Sequence, residues 1–205
     1  MSRRFGFDPR KRTLGMQVGI VMSPSQRLFI ALTPPAAVRA AVAGLASPLP
    51  GVNWTSPDKM HVTLRFLGEI ATERIEGIAA RLATIRVEPF ILPTEGLGSF
   101  PPDAPPRVIW VGVGRGHPRL FQLRQKLDDS LLAVRVDLDV RTFHPHITVA
   151  RCAGTPLPTV KRRLREREDF TAAPFRVAAF DLYSSRLTPA GSEYALVRRF
   201  SLAGP

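Results

Sequence analysis

The sequence predicts an α+β protein built mainly from antiparallel sheets, and three observations carry that expectation. Strand–helix–strand order recurs twice along the chain. The strands around it follow one another as hairpin neighbours rather than in strict β-α-β alternation. A chain of 205 residues, 44% hydrophobic and 22% charged, is also long and apolar enough for a sizeable core.

Residues 1–26 carry no sustained period. Arg3, Arg4, Arg10, Lys11 and Arg12 face only Asp8, which makes this stretch a flexible basic extension ahead of a single domain over residues 27–205. Its apolar run, Leu14 to Met22, is broken by Gln17 and lacks a small-residue cleavage pattern, so export is not expected. Met22 is an alternative start, with the preceding residues a gene-model extension.

Regular structure is expected from Arg27-Leu28-Phe29-Ile30-Ala31-Leu32, a short apolar strand. Thr33 and Pro34 then read as the cap and first residue of a helix reaching about Leu45. Val52-Asn53-Trp54 is a short strand, followed by a longer one from His61 to Gly68. Thr72 caps a second helix, whose Ile75, Ile78, Ala79, Leu82 and Ile85 keep the helical period. Strands follow at Phe90–Leu97 and Arg107–Val113, around a proline-rich loop from Phe100 to Pro106. Leu120, Leu123, Leu127 and Leu131 define a helix from Pro118 to about Leu132. Thr142–Arg151 is the next strand. Pro158–Asp169 is a basic helix, and Phe175–Leu187 and Tyr194–Leu202 close the chain as strands.

Lys and Arg number 29 against 17 Asp and Glu, a net charge of +12 that points to a polyanionic partner such as nucleic acid or a nucleotide. One cysteine, Cys152, excludes an intrachain disulfide and a multi-cysteine zinc site, and suits a reducing cytoplasm. No run approaches the roughly 18 apolar residues of a membrane span, so no membrane partner is expected.

Chemistry concentrates in two short strands. In His61-Val62-Thr63-Leu64-Arg65-Phe66-Leu67-Gly68, a period of two sends His61, Thr63 and Arg65 to one face and Val62, Leu64 and Phe66 to the core. His146-Ile147-Thr148-Val149 repeats that pattern in a chain with four histidines, an internal repeat that suggests two lobes about a pseudo-twofold axis.

With these motifs the chain resembles the 2H phosphoesterases, and more narrowly the RNA 2′,3′-cyclic phosphodiesterases once called 2′-5′ RNA ligases. The resemblance runs from Arg27 to Leu202. Besides the two motifs it includes Gly98-Ser99-Phe100-Pro101, Val108-Ile109-Trp110, Phe143-His144-Pro145-His146 and Leu182-Tyr183-Ser184-Ser185. It implies a bilobal fold of two mainly antiparallel sheets with flanking helices around a central cleft. It further implies hydrolysis of an RNA 2′,3′-cyclic phosphate end to a 2′-phosphomonoester, with no metal or other cofactor. By motif position, His61 is the proton donor, His146 the proton acceptor, and Thr63 and Thr148 hold phosphate oxygens.

The residue types suit that reaction. In-line opening of a cyclic phosphodiester needs a base on one side of phosphorus and an acid on the other, and two imidazoles with ordinary pKa of about 6.5 can fill both posts. Hydroxyls two residues on can hydrogen-bond the charged oxygens. Arg151, matching the arginine after the family's second motif, is expected on the phosphate, although only a bulge or strand end would turn it inward. Arg65 is a supporting residue around the site or the partner of a surface carboxylate. Phe143 is a packing residue or a contact for the terminal base. Trp54 shares that choice. His144 is read as a rim residue, His117 as a helix-start residue and Cys152 as a small buried hydrophobe. The basic helix is either a guide for an RNA backbone or a solvated face.

The expected partner is therefore RNA ending in a 2′,3′-cyclic phosphate, acted on by a monomer. The rivals are a 2′-5′ RNA ligase running the reverse reaction, an enzyme for nucleotide-sized cyclic phosphates and a non-catalytic RNA-binding module.

Overall fold

Residues 24–138, 142–189 and 191–204 are described by the computed structural model of the chain. Met22 and most of the basic extension lie outside the described residues. Ser25 and Gln26, expected in the extension, already pair with Ala71 and Ile70 as the start of β1 (Ser25–Leu32).

The chain continues through α1 (Ala36–Ala43), β2 (Val52–Trp54), β3 (Val62–Ala71) and α2 (Ile75–Leu82). Then come β4 (Phe90–Phe100), β5 (Val108–Val113), α3 (Pro118–Ala133) and β6 (His146–Cys152). The last elements are α4 (Leu157–Arg165), β7 (Thr171–Val177), β8 (Ala179–Thr188) and β9 (Gly191–Ser201). This is the expected α+β order, with one strand more at the end: Phe175–Leu187 divides at Ala178 into β7 and β8.

Neither threonine cap forms. The hydroxyl of Thr33 is drawn to the buried Asp181, to which it donates at 2.8 Å, and α1 begins after Pro35. Thr72 donates to the carbonyl of Pro24, tying the end of β3 to the start of β1. In each case a tertiary acceptor outcompetes the helix end.

Every strand pair is antiparallel, in the order β7-β4-β5-β6-β3-β1-β8-β9, with β2 on β6. The order is symmetric about its middle. β3, β1, β8 and β9 form one half, while β6, β5, β4 and β7 form the other in matching positions. The two expected sheets thus meet as one, joined by the single ladder pair Val62–Ile147. The helices bury Val42, Ile78, Leu123, Leu127 and Val160 against the sheet, which fixes the two central strands from behind. Among the described residues no helix is long and apolar enough to cross a membrane.

Candidate active site

Val62 and Ile147 are both fully buried, so parity turns their neighbours His61, Thr63, His146 and Thr148 to the other face, where all four are half-buried. The two motifs therefore meet at the seam between the halves of the sheet.

Each imidazole is held in the same way. His61 Nδ1 lies 2.8 Å from the carbonyl oxygen of Lys59, and His146 Nδ1 lies 2.7 Å from that of His144, two residues upstream in both cases. A carbonyl only accepts, so Nδ1 carries the hydrogen and the neutral ring keeps Nε2 as its free acceptor. Burial holds the His61 pKa below its ordinary value. The Lys59 carbonyl opposes that shift, and the nearby charges of His146 and Arg151 add to it. Burial also lowers His146, again against its carbonyl partner and with His144 adding to the shift.

Both strands then break their alternation at the same place in the repeat. Between the pairs Ile30–Arg65 and Ala31–Thr63, β3 carries one extra residue, Leu64. Between Ile109–Ala150 and Trp110–Thr148, β6 carries one extra residue, Val149. Each is a β-bulge, which reverses the parity of the residues beyond it. In β6 it buries Ala150 and sends Arg151 out on the histidine side, where its charge acts on His61. The bulge required for Arg151 to face the site is present.

In β3 the same device overturns the simple alternation. Arg65, expected beside His61 and Thr63, is buried at 7% exposure and forms a two-pronged ion pair with Asp128 of α3. Phe66, expected in the core, is 47% exposed and takes the position that Arg151 holds in the other motif.

Aromatic rings line both sides of the site. Phe29 packs 5.0 Å from His61 and stacks on Tyr183, while Tyr194 meets the His61 ring edge-on at 5.2 Å. Around His146 stand Phe100 at 5.2 Å and Trp110 at 6.2 Å, with His144 against Trp110 at 4.6 Å. The indole of Trp110 lies over Gly98, where any Cβ would collide with it. Sequence reasoning left these rings unassigned; the signal available for them was their position in Phe100, Trp110 and Tyr183 segments shared with the resembling family.

The remaining residues fall elsewhere. Phe143 packs edge-on against Phe121 and lies under the Arg124 guanidinium at 5.2 Å, a packing position on α3. Trp54 donates to the carbonyl of Ser47 and sits with Leu45, Val149 and Leu164. That is the Val149 side of the sheet, and α4 covers it, so the basic helix stands behind the histidine face. Lys161 pairs there with Asp103, and Arg162 and Arg163 with Glu166. His117 stacks on Phe90 and makes no side-chain cap. Cys152 is a half-buried free thiol, its pKa raised by burial. Among the described residues no group of three or more His, Cys, Asp or Glu side chains is placed to hold a metal ion.

Comparison with known proteins agrees with this architecture. The family model described as LigT like Phosphoesterase matches residues 32–110 and 112–194, each stretch holding one histidine motif. The chain is 38% identical over 138 residues to the RNA 2′,3′-cyclic phosphodiesterase of Aeropyrum pernix, covering 67% of this chain and 78% of the relative. It is 34% identical over 179 residues to that of Archaeoglobus fulgidus, covering 85% and 99%. Among solved structures, a Thermus thermophilus protein superposes with a TM-score of 0.72 at 30% identity, over 87% of this chain and 98% of that one. The E. coli LigT protein complexed with 3′-AMP gives 0.70 at 26% identity, over 87% and 99%. The twofold sheet, the paired histidine motifs and these matches have one conclusion: the chain belongs to the LigT-like phosphoesterase family.

Proposed function

We propose that this protein hydrolyses RNA 2′,3′-cyclic phosphate ends to 2′-phosphomonoesters, by metal-independent general acid–base catalysis from His61 and His146. The observation that carries the reading is the matched pair of imidazoles, each with Nδ1 tied to a carbonyl two residues upstream and Nε2 left for chemistry. The family membership and the names of the relatives supply the substrate class.

In this reading His146 Nε2 takes a proton from water as the water oxygen bonds to phosphorus. The bond from phosphorus to O3′ breaks in line, and His61 Nε2 gives its proton to the departing O3′. Charge builds on the non-bridging oxygens, which Thr63 and Thr148 meet with hydroxyl hydrogen bonds and Arg151 with its guanidinium. Phe66, exposed beside the site, offers its ring to the terminal base, a contact worth about 1–3 kcal/mol per base in single-strand binding. Arg65 and Phe143 act only indirectly, from behind the strands. The catalytic unit is a single domain that begins with β1 at Ser25, and both motifs come from one chain, so a monomer suffices for the reaction.

The test is incubation with an oligoribonucleotide ending in 2′,3′-cyclic phosphate, in EDTA, followed by identification of the terminal phosphate. A 2′-phosphate product supports the reading; no turnover, or turnover only with added metal, overturns it. Supplying a second RNA with a 5′-hydroxyl end in the same assay distinguishes the ligase from the hydrolase by product length.

A further inference from the structure

The two bulges place equal demands on the backbone, and the protein answers them differently. A bulged residue loses its ladder partner, and a carbonyl left buried without a donor is costly. For Val149 the donor is main chain: the Thr55 N–H reaches its carbonyl at 2.8 Å, just beyond the β2 pairing with β6. For Leu64 there is no matching strand, since β3 meets β6 only at Val62. Its carbonyl instead accepts Arg124 Nε from α3 at 2.5 Å.

Arg124 is built to hold that post. It is 9% exposed, paired with Asp128 one helical turn away, and covered by the Phe143 ring. Asp128 also binds Arg65, the residue that the bulge turns inward. The cluster thus secures both the bulged carbonyl and the side chain whose reversal the bulge dictates.

We propose that Arg124 is a positioning residue for the active site. By holding the Leu64 carbonyl in place of a missing strand, it keeps Phe66, rather than Arg65, facing the histidines. Its kinetic readout rests on the reaction proposed above; its structural readout does not.

The experiment is a double-mutant cycle between Arg124→Met and Phe66→Ala, with Arg124→Lys as the conservative variant. KM and kcat are measured on a nucleoside 2′,3′-cyclic phosphate, and cross-strand nuclear Overhauser contacts between Ile30 and Arg65 report the β1–β3 register. Phe66→Ala is expected to raise KM about tenfold in the native background but less than about twofold in Arg124→Met, because the ring has already been displaced there. Arg124→Lys, which can still donate to the carbonyl, recovers part of the loss. Additive effects, or an unchanged Ile30–Arg65 register in Arg124→Met, overturn the proposal. If Arg124→Met does not fold, Arg124→Lys and Asp128→Asn carry the same cycle. Absence of turnover in the native protein would refute the hydrolase reading, and the register measurement would still decide the role of Arg124.

Discussion

Val62 and Ile147 face each other as the ladder pair that joins the two halves of the sheet, and neither is exposed to solvent. Antiparallel register counted outward from that pair sets His61 opposite Thr148 and Thr63 opposite His146. The hydroxyl across the seam from each imidazole therefore belongs to the other motif, and two apolar side chains form the floor beneath all four.

Replacing either imidazole should remove one half of a concerted proton transfer. His61→Ala and His146→Ala are each expected to lower kcat on a 2′,3′-cyclic phosphate end by about two to four powers of ten. The double variant should lose little more than the worse single one, since the two act as a unit. Equal melting temperatures would show that chemistry, and not folding, was lost.

The pH profile should lie on the acid side of neutrality. Burial lowers the pKa of both histidines from the ordinary value of about 6.5, and the proposed reaction needs one ring protonated and the other neutral. A two-limbed kcat/KM profile with its maximum below about pH 6.5 is expected, the limbs belonging to the coupled pair. Stability follows the same sign. A histidine with a depressed folded pKa contributes stability above its unfolded value, and that stability is lost as pH falls through the folded one. The melting temperature should therefore drop below about pH 6.5, and less so in His61→Asn.

Arg151→Ala should do two separable things. Loss of a charge-assisted contact to phosphate predicts a rise in KM of about ten- to hundredfold, from about 1.5–3 kcal/mol. Removal of a positive charge that lowers the His61 pKa also predicts that the His61 limb moves to higher pH. A KM change with an unmoved profile would detach Arg151 from His61.

Leu64 and Phe66 should respond oppositely to truncation, although simple alternation assigns both to the core. Leu64 is 2% exposed, and Leu64→Ala is expected to cost about 2–5 kcal/mol in denaturant unfolding. Phe66 is 47% exposed, and Phe66→Ala should stay within about 1 kcal/mol.

That contrast marks where the sequence stops being legible. The order of elements, the helices of α3 and α4 and the two histidine motifs can all be read from period and residue type, because those signals are local. The reversal at Leu64 is not local: it depends on which β1 residue sits opposite and on a helix side chain sixty residues away. Arg151 was accessible only as a conditional, since its use required a bulge that period two cannot supply. The Lys59 and His144 carbonyls that hold the imidazoles are main-chain groups, invisible in residue identity. The first half of β7 escaped because Thr171-Ala172-Ala173-Pro174 lacks the alternating apolar signature of a strand. Thr33 and Thr72 look like caps until Asp181 and Pro24 compete for their hydroxyls.

The matched bulges have a last consequence, in the direction in which a substrate can lie. A strictly twofold groove would accept a nucleotide end-for-end in two equivalent ways, and its two imidazoles would be interchangeable. The halves agree through histidine, aliphatic and threonine, and part company where one presents a benzyl ring and the other a guanidinium. Under the proposed contacts, Phe66 to the base and Arg151 to the phosphate, a nucleotide meets complementary ends in only one orientation. A near-symmetric scaffold thereby acquires two unlike ends, and in the proposed reaction the residues five positions downstream of each histidine give the substrate a direction.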